Sequence, residues 1–558
     1  MTTEKLRLVL CWHMHQPQYR DADSGAYLRP WTWLHGIKDY ADMAAHLETV
    51  PNARAVVNFS TILLEQLQDY AARIARWKED GLPVGDPLLD ALGSRSPATD
   101  QEHLTLLAAC LHANETHMIE AFPPYAALVS QARDAIEQGL PLVDRSFRDL
   151  LVWYHLAWTG ESLRREFPLL RRLLQQGEGF TDDDASQLLG LIGDVLARLI
   201  PRYRKLGQSG RVELSVTPHA HPILPLLIDL ASAREAMPDV PLPDVCYPGG
   251  DERCRWHLER ALEIFQRHFG VRPQGCWPSE GGVSEAVLPL LRDCGFRWTA
   301  SGTNVLRNSV AGAAESAHME MWQAARGTER LACFFRDDDL SDRIGFQYSQ
   351  WGADDAVNDL ILRLEGIRRE WAGATPPVVS IIMDGENAWE HFPYNAWFFL
   401  QHLYSRLALH PQIELTTFSA LLESGFAGSE LPHLVAGSWV YGDFSVWIGD
   451  REKNRAWELL CAAKESVDRA LQREQGAGRD RILEQLGVCE ASDWFWWLGG
   501  GNTEVDSAAF AGLFRQHLMA LYRMIGESPP EDLRAFGKGL RPAGLESAAE
   551  GSMRRANR

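Results

Sequence analysis

Seven short apolar runs, each ending in polar residues, punctuate the first 390 residues. They are 6–15 (LRLVLCWHMH), 53–60 (ARAVVNFS), 211–220 (RVELSVTPHA), 273–280 (PQGCWPSE), 296–301 (FRWTAS), 330–339 (RLACFFRDDD) and 377–387 (PVVSIIMDGEN). Runs without in–out alternation predict strands buried on both faces, as in a parallel sheet. Helix-period stretches such as ERCRWHLERALEIFQRHFG and SEAVLPLLRDCGF lie between several of them. The alternation predicts an α/β fold, either a barrel or an open sheet with crossover helices. One interval breaks the rhythm. Residues 61–210 hold helical patterns only, including TDDDASQLLGLIGDVLARLIPRY with its Thr-Asp start signal, and predict a helical insertion. After residue 395 the pattern is mostly helical. The chain then reads as a barrel over 1–395 with the insertion at 61–210, a helical bundle over 396–530, and a flexible tail over 531–558 that lacks apolar periodicity.

Charge and composition narrow the partners. The 558 residues carry a net charge of -20 with no basic stripe, which excludes a polyanionic partner such as nucleic acid and fits a neutral substrate. No window approaches the roughly 20 apolar residues of a membrane span. The N-terminal MTTEKLRLVLCWHMH runs straight into polar sequence rather than a cleavage site, unlike a signal peptide. Nine scattered cysteines, odd in number and in no ligand motif, predict reduced thiols in a cytoplasmic protein. Many of the 20 tryptophans cluster beside Gly, Asp and Glu, where flat faces with a polar handle suit sugar rings as well as core packing.

Parallel α/β architectures build their sites at the C-terminal ends of the strands. That rule gathers His13, His15 and Gln16 after the first run, His219 and His221 after the third, and Glu280 after the fourth. It adds Asp337 to Asp339 after the sixth, and Asp384 and Glu386 after the seventh. Glycines 281 and 282 let the chain turn sharply beside Glu280. Two carboxylates at one barrel mouth are the minimum apparatus for glycoside hydrolysis: one attacks or stabilises, the other donates a proton. Metal binding is the competing use. His13 and His15 would share one strand face, His219 and His221 would repeat the spacing, and with Asp384 they could hold zinc. The acid-free stretch HMHQPQYR is better suited to hydrogen-bonding sugar hydroxyls, a role that needs no metal and no other cofactor.

Several separated motifs resemble family 57 of the glycoside hydrolases, in its amylopullulanase/α-amylase-like branch. They are WHMHQP, GRVELSVTPHAHPILPLL, GCWPSEGGVS, MDGENAWEHFP, GSWVYGDFSVWIGDREKNRAW and ASDWFWW, in that order over residues 6–530. The resemblance implies a (β/α)7 incomplete TIM-like barrel with a helical bundle, acting with retention of configuration on α-glucans. It implies Glu280 as nucleophile and Asp384 as general acid/base. It places His13, His15 and Gln16 around the reacting sugar, supported by Glu213 or His221, with Glu386 and Asp493 as further substrate-binding positions. Trp277, Trp389, Trp447 and Trp494 become candidates for stacking or shaping subsites. Two positions depart from the pattern: Arg211 stands where Gln is usual after Gly210, and His219 where an aromatic is common. Hydrolysis of α-1,4 or α-1,6 bonds, transfer to a sugar acceptor, and a non-catalytic glucan-binding role are all compatible with these motifs, and oligomeric state is not read from them.

Overall fold

The structure is a computed structural model that describes residues 4–93, 95–326, 329–500 and 504–537. All seven expected strands form. They are β1 (Leu6–Met14), β2 (Ala55–Ser60), β3 (Val212–Thr217), β4 (Gly275–Cys276), β5 (Trp298–Gly302), β7 (Glu329–Arg336) and β8 (Val378–Asp384). β6 (Trp322–Arg326) precedes β7 as the antiparallel arm of a hairpin, and β9 (Ile413–Thr416) and β10 (Ser429–Glu430) follow. Each of the seven pairs its neighbour in parallel, in the order β1-β2-β3-β4-β5-β7-β8. The β8–β1 ladder, running from Arg7↔Val378 to His13↔Asp384, closes the ring. The sheet is therefore a (β/α)7 barrel. Its strands are buried on both faces because β1, β2 and β8 are apolar at nearly every position.

Several strands are shorter than the apolar runs that announced them. β3 stops at Thr217 because Pro218 follows and Ala220 and His221 both take positive φ, 57° and 66°. β4 keeps two residues because Trp277-Pro278 leads directly into a tight turn. Asp337 to Asp339, gathered at the end of the sixth run, open the helix Asp338–Phe346, with the Asp337 side chain accepting from Leu340 N.

The interval 61–210 contains no strand among the described residues. Its longest helix, Asp182–Gln208, begins with a capping box: Thr181 Oγ1 accepts from Asp184 N at 3.1 Å, and Asp184 Oδ2 accepts from Thr181 N at 2.9 Å. Within 396–530, β9 pairs the first half of β1, Leu6 to Val9, so that stretch extends the barrel sheet. From Arg451 onward the described chain is helical: Arg451–Leu471, Ala477–Cys489, Ser492–Trp497 and Glu504–Met524. Of the expected tail, 531–537 includes the short helix Glu531–Ala535, and 538–558 lies outside the described residues. No described helix is long and apolar enough to cross a membrane.

Two single-residue β-bridges tie these later segments to the barrel rim. Val283 pairs Gly437 beside the β4 turn, and Pro222 pairs Ala491 beside the β3 turn. Each delivers a side chain to the same acid.

Candidate active site

Glu280 sits on the turn Ser279–Gly281 with φ 57° and ψ 23°, a left-handed conformation that a non-glycine residue holds only when its surroundings fix it. Gly281 continues the same hand at φ 60°, and a Cβ there would lie 2.9 Å from the Trp277 ring. The turn is clamped by Trp439 N donating to Glu280 O at 3.0 Å. The carboxylate is 3 % exposed. Oε2 accepts from Trp439 Nε1 at 3.1 Å and Oε1 contacts Ser492 Oγ at 3.2 Å. Neither donor was singled out from the sequence; only a bridge between distant segments brings them here.

Asp384 ends β8, opposite His13 in register, and accepts from Asn387 Nδ2 at 2.9 Å. Glu280 and Asp384 face one cleft of about 560 Å³, whose wall includes Arg336, Phe346, Trp439 and Trp496. The volume is within the roughly 300–1,000 Å³ of ordinary ligand sites. On the inner side the same two acids border a small cavity of about 30 Å³ lined by His13, His15, Gln16, His221, Glu386 and Trp497, among others.

Burial dominates the electrostatics. Glu280 is pushed up to about 8 by burial, then by the negative charges of Asp384 and Asp493, against the hydrogen bonds from Trp439 and Ser492. Asp384 is raised to about 6, also by burial, with Asn387, His15 and Arg336 pulling it back. Burial of both acids and the charge of Asp384 against Glu280 favour a proton held between the two. Glu386, buried beside them with Oε2 unpartnered, is held well above the ordinary carboxylate value by burial and by Asp384 and Asp39. Burial keeps His13 neutral, at about 3, and holds His221 well below its usual value.

The histidines stack. His15 and His221 have ring centroids 3.9 Å apart and planes 12° from parallel. His15, His221 and Asp493 bring ligand atoms within 4.8 Å of one another, but nearly parallel planes leave no point along both in-plane lone pairs, as a metal would require. His219 diverges from His221 because the strand has already ended; it bonds Thr61 Oγ1 at 2.9 Å and Glu484 Oε2 at 3.0 Å. The shared strand face expected for the second His pair is therefore not formed.

The family model of glycosyl hydrolase family 57 matches residues 9–431. The chain belongs to that family. Three solved structures share its fold. A family 57 branching enzyme from Thermococcus kodakaraensis superposes with a TM-score of 0.57 at 16% identity, covering 93% of this chain and 90% of that one. The α-amylase AmyC from Thermotoga maritima gives 0.56 at 11% identity, covering 95% and 96%. A 4-α-glucanotransferase from Thermococcus litoralis gives 0.52 at 14% identity, covering 93% of this chain and 60% of that chain. No protein of curated function matches the sequence.

Within this family 57 barrel, His13, His15, Gln16, His221, Glu386 and Asp493 do meet around the two acids, with Asp493 accepting from or pairing with His15 Nε2 at 3.0 Å. Glu213 does not. It lies near the start of β3, where its carboxylate accepts from Trp298 Nε1 at 2.7 Å and Ser419 N at 2.9 Å, and it plugs the opposite end of the barrel. The four tryptophan candidates are also corrected. Trp277, Trp389, Trp447 and Trp494 are fully buried, and Trp389 and Trp494 spend their Nε1 donors on Gly385 O and Val488 O. They are core residues, and Trp439 and Trp496 line the cleft instead. Trp439 is held by the Arg336 guanidinium, 5.4 Å from its ring centroid, which in turn pairs with Asp338 and Asp342.

Proposed function

We propose that this chain is a retaining enzyme acting on α-glucans such as maltodextrin, starch or glycogen, with Glu280 as nucleophile and Asp384 as general acid/base. One observation carries the reading: two buried acids from different strands border one cleft, and one of them, Glu280, is gripped through both oxygens by groups from the C-terminal third. In the reactive microstate the shared proton lies on Asp384. A Glu280 oxygen bonds to the anomeric carbon, the glycosidic C–O bond breaks, and Asp384 gives its proton to the departing oxygen. Asp384, now ionised, takes a proton from the incoming hydroxyl, which displaces Glu280 and restores the starting configuration. The hydrogen bonds from Trp439 and Ser492 favour the ionised nucleophile, against burial.

The names of the structural relatives, an amylase, a branching enzyme and a glucanotransferase, support an α-glucan as substrate and leave the acceptor to experiment. Purified protein is incubated with amylose, maltoheptaose, glycogen and pullulan beside Glu280→Gln. Short oligosaccharides from the wild type alone support hydrolysis, and a ladder of longer products supports transfer. Release of the α-anomer, read by proton NMR, supports retention. Substantial turnover by Glu280→Gln would remove it from the mechanism.

A further inference from the structure

A chain of buried hydrogen bonds leads away from Glu280. Its Oε1 contacts Ser492 Oγ at 3.2 Å; Ser492 Oγ meets His221 Nδ1 at 2.8 Å; His221 Nε2 meets His13 Nε2 at 3.1 Å; and His13 Nδ1 meets Asn58 Oδ1 at 2.7 Å. All five residues are at most 4 % exposed, so their protons must be accounted for within the chain. Both rings are held neutral, and each therefore carries one N–H.

Counting donors gives two complete arrangements. In the first, Glu280 is protonated and donates to Ser492 Oγ, which donates to His221 Nδ1. His221 Nε2–H then donates to His13 Nε2, and His13 Nδ1–H to Asn58 Oδ1. In the second, Glu280 is ionised and accepts from Ser492. His221 Nδ1–H donates to Ser492, His13 Nε2–H donates to His221 Nε2, and Asn58 turns its amide to donate to His13 Nδ1. The surroundings of Asn58 accept either orientation. Ser215 Oγ, 3.0 Å from its amide nitrogen, can donate or accept. Thr217 Oγ1 lies 2.7 Å from Asn58 Oδ1 and 2.9 Å from Trp277 O, so its own proton has a second acceptor when the amide turns. With neutral rings, and with the proton of neutral Glu280 on the Oε1 that faces Ser492, no intermediate pattern satisfies every link.

We infer that Ser492, His221, His13 and Asn58 form a two-state tautomer relay, in which Ser492 is the positioning residue that couples the charge of Glu280 to the proton positions on both rings. The relay itself follows from donor counting; its consequence for catalysis rests on Glu280 being the nucleophile. Other charged groups facing Glu280 are Asp384 and Asp493, which oppose its ionisation. His15 stacks on His221 and pairs with Asp493, and Arg336 acts on the neighbouring Asp384. These groups, together with the hydrogen bonds from Trp439 and Ser492, set where Glu280 titrates, and Ser492 also sets whether the rings follow.

The test is 15N NMR of histidine-labelled full-length wild type, Ser492→Ala, Ser492→Thr and Glu280→Gln between pH 5 and 9. Expected in wild type is an exchange of tautomers on both rings, His13 from Nδ1–H to Nε2–H and His221 the reverse, with neither ring gaining charge. Ser492→Thr retains the exchange, while Ser492→Ala and Glu280→Gln abolish it. A fixed tautomer on both rings of wild type, or an exchange that persists in Ser492→Ala, overturns the relay. Activity is read separately. The acid limb of kcat/KM in Ser492→Ala moves up by about one pH unit, a roughly tenfold loss on that limb, with recovery in Ser492→Thr. Tautomer exchange without any glucan activity in wild type would leave the relay standing and remove the functional reading alone.

Discussion

Glu490 offers the sharpest test of how the C-terminal helices are fixed to the barrel. It follows the helix Ala477–Cys489, two residues before Ser492, and is 1 % exposed. Its carboxylate accepts from Arg253 Nη2 and His257 Nε2, each at 2.6 Å, and from the Tyr247 hydroxyl. Burial alone would raise its pKa, yet Arg253 and then His257 overcome burial and hold it at about 2. Against the 4.5 of a free glutamate, that depression is worth about 3 kcal/mol at pH 7, at about 1.4 kcal/mol per unit. Because the folded-state value is the lower one, the contribution is complete above about pH 5 and fades as pH falls toward 2. Glu490→Gln, which mimics the protonated acid, is expected to lose about 3 kcal/mol at pH 7 and only about 1 kcal/mol at pH 3. Guanidinium unfolding followed by tryptophan fluorescence at both pH values reads the difference. A loss that is the same at pH 7 and pH 3, or below about 1 kcal/mol at pH 7, refutes the argument that Arg253 and His257 hold Glu490 ionised in the fold.

Two further outcomes follow from the cleft. Trp439→Phe removes the indole N–H from Glu280 Oε2 while keeping the ring over Arg336, so Glu280 ionises less readily. The acid limb of kcat/KM should rise by about one pH unit, and an unmoved limb would show that this bond does not tune Glu280. Gly302→Ala places a Cβ 2.7 Å from the Trp439 Cα, so the backbone there must shift. With displacement near 1 Å, kcat should fall on the order of 100-fold while the circular dichroism spectrum is unchanged, and full activity would show that the rim tolerates the movement.

The barrel was readable in the sequence because parallel strands buried on both faces leave continuous apolar runs, and all seven did. β4 is the instructive one: GCWPSEGG looked like a strand ending in an acid, but the proline and the left-handed Glu280 shorten it to two residues. β9 and β10 escaped because short pairings of four and two residues carry no periodicity of their own. In the site, strand-end residues were legible because the barrel rule says where they point. Glu213 was misplaced by the family resemblance instead: a motif match does not say at which end of a strand a residue lies, and its position one residue after Val212 puts it at the far one. Trp439 and Ser492 were missed as partners because only long-range docking brings them to Glu280, and Arg336 because its ring partner is that same docked Trp439; Asn58 meets His13 through the pairing of β1 with β2, a register the apolar runs alone do not give. For tryptophan, motif position alone could not separate a cleft wall from the core behind it; burial did.

The two β-bridges have a consequence for the order in which the molecule becomes competent. Glu280 lies at the middle of the chain, its Trp439 donor arrives some 160 residues later in synthesis, and Ser492 later still. A ribosome-bound chain that has completed the barrel strands would hold both acids but lack the groups that secure Glu280. With Glu280 as the nucleophile proposed above, reactivity toward polysaccharide would be withheld until almost the whole polypeptide has emerged, and a product ending before the last helices would carry Glu280 without the Ser492 that contacts it.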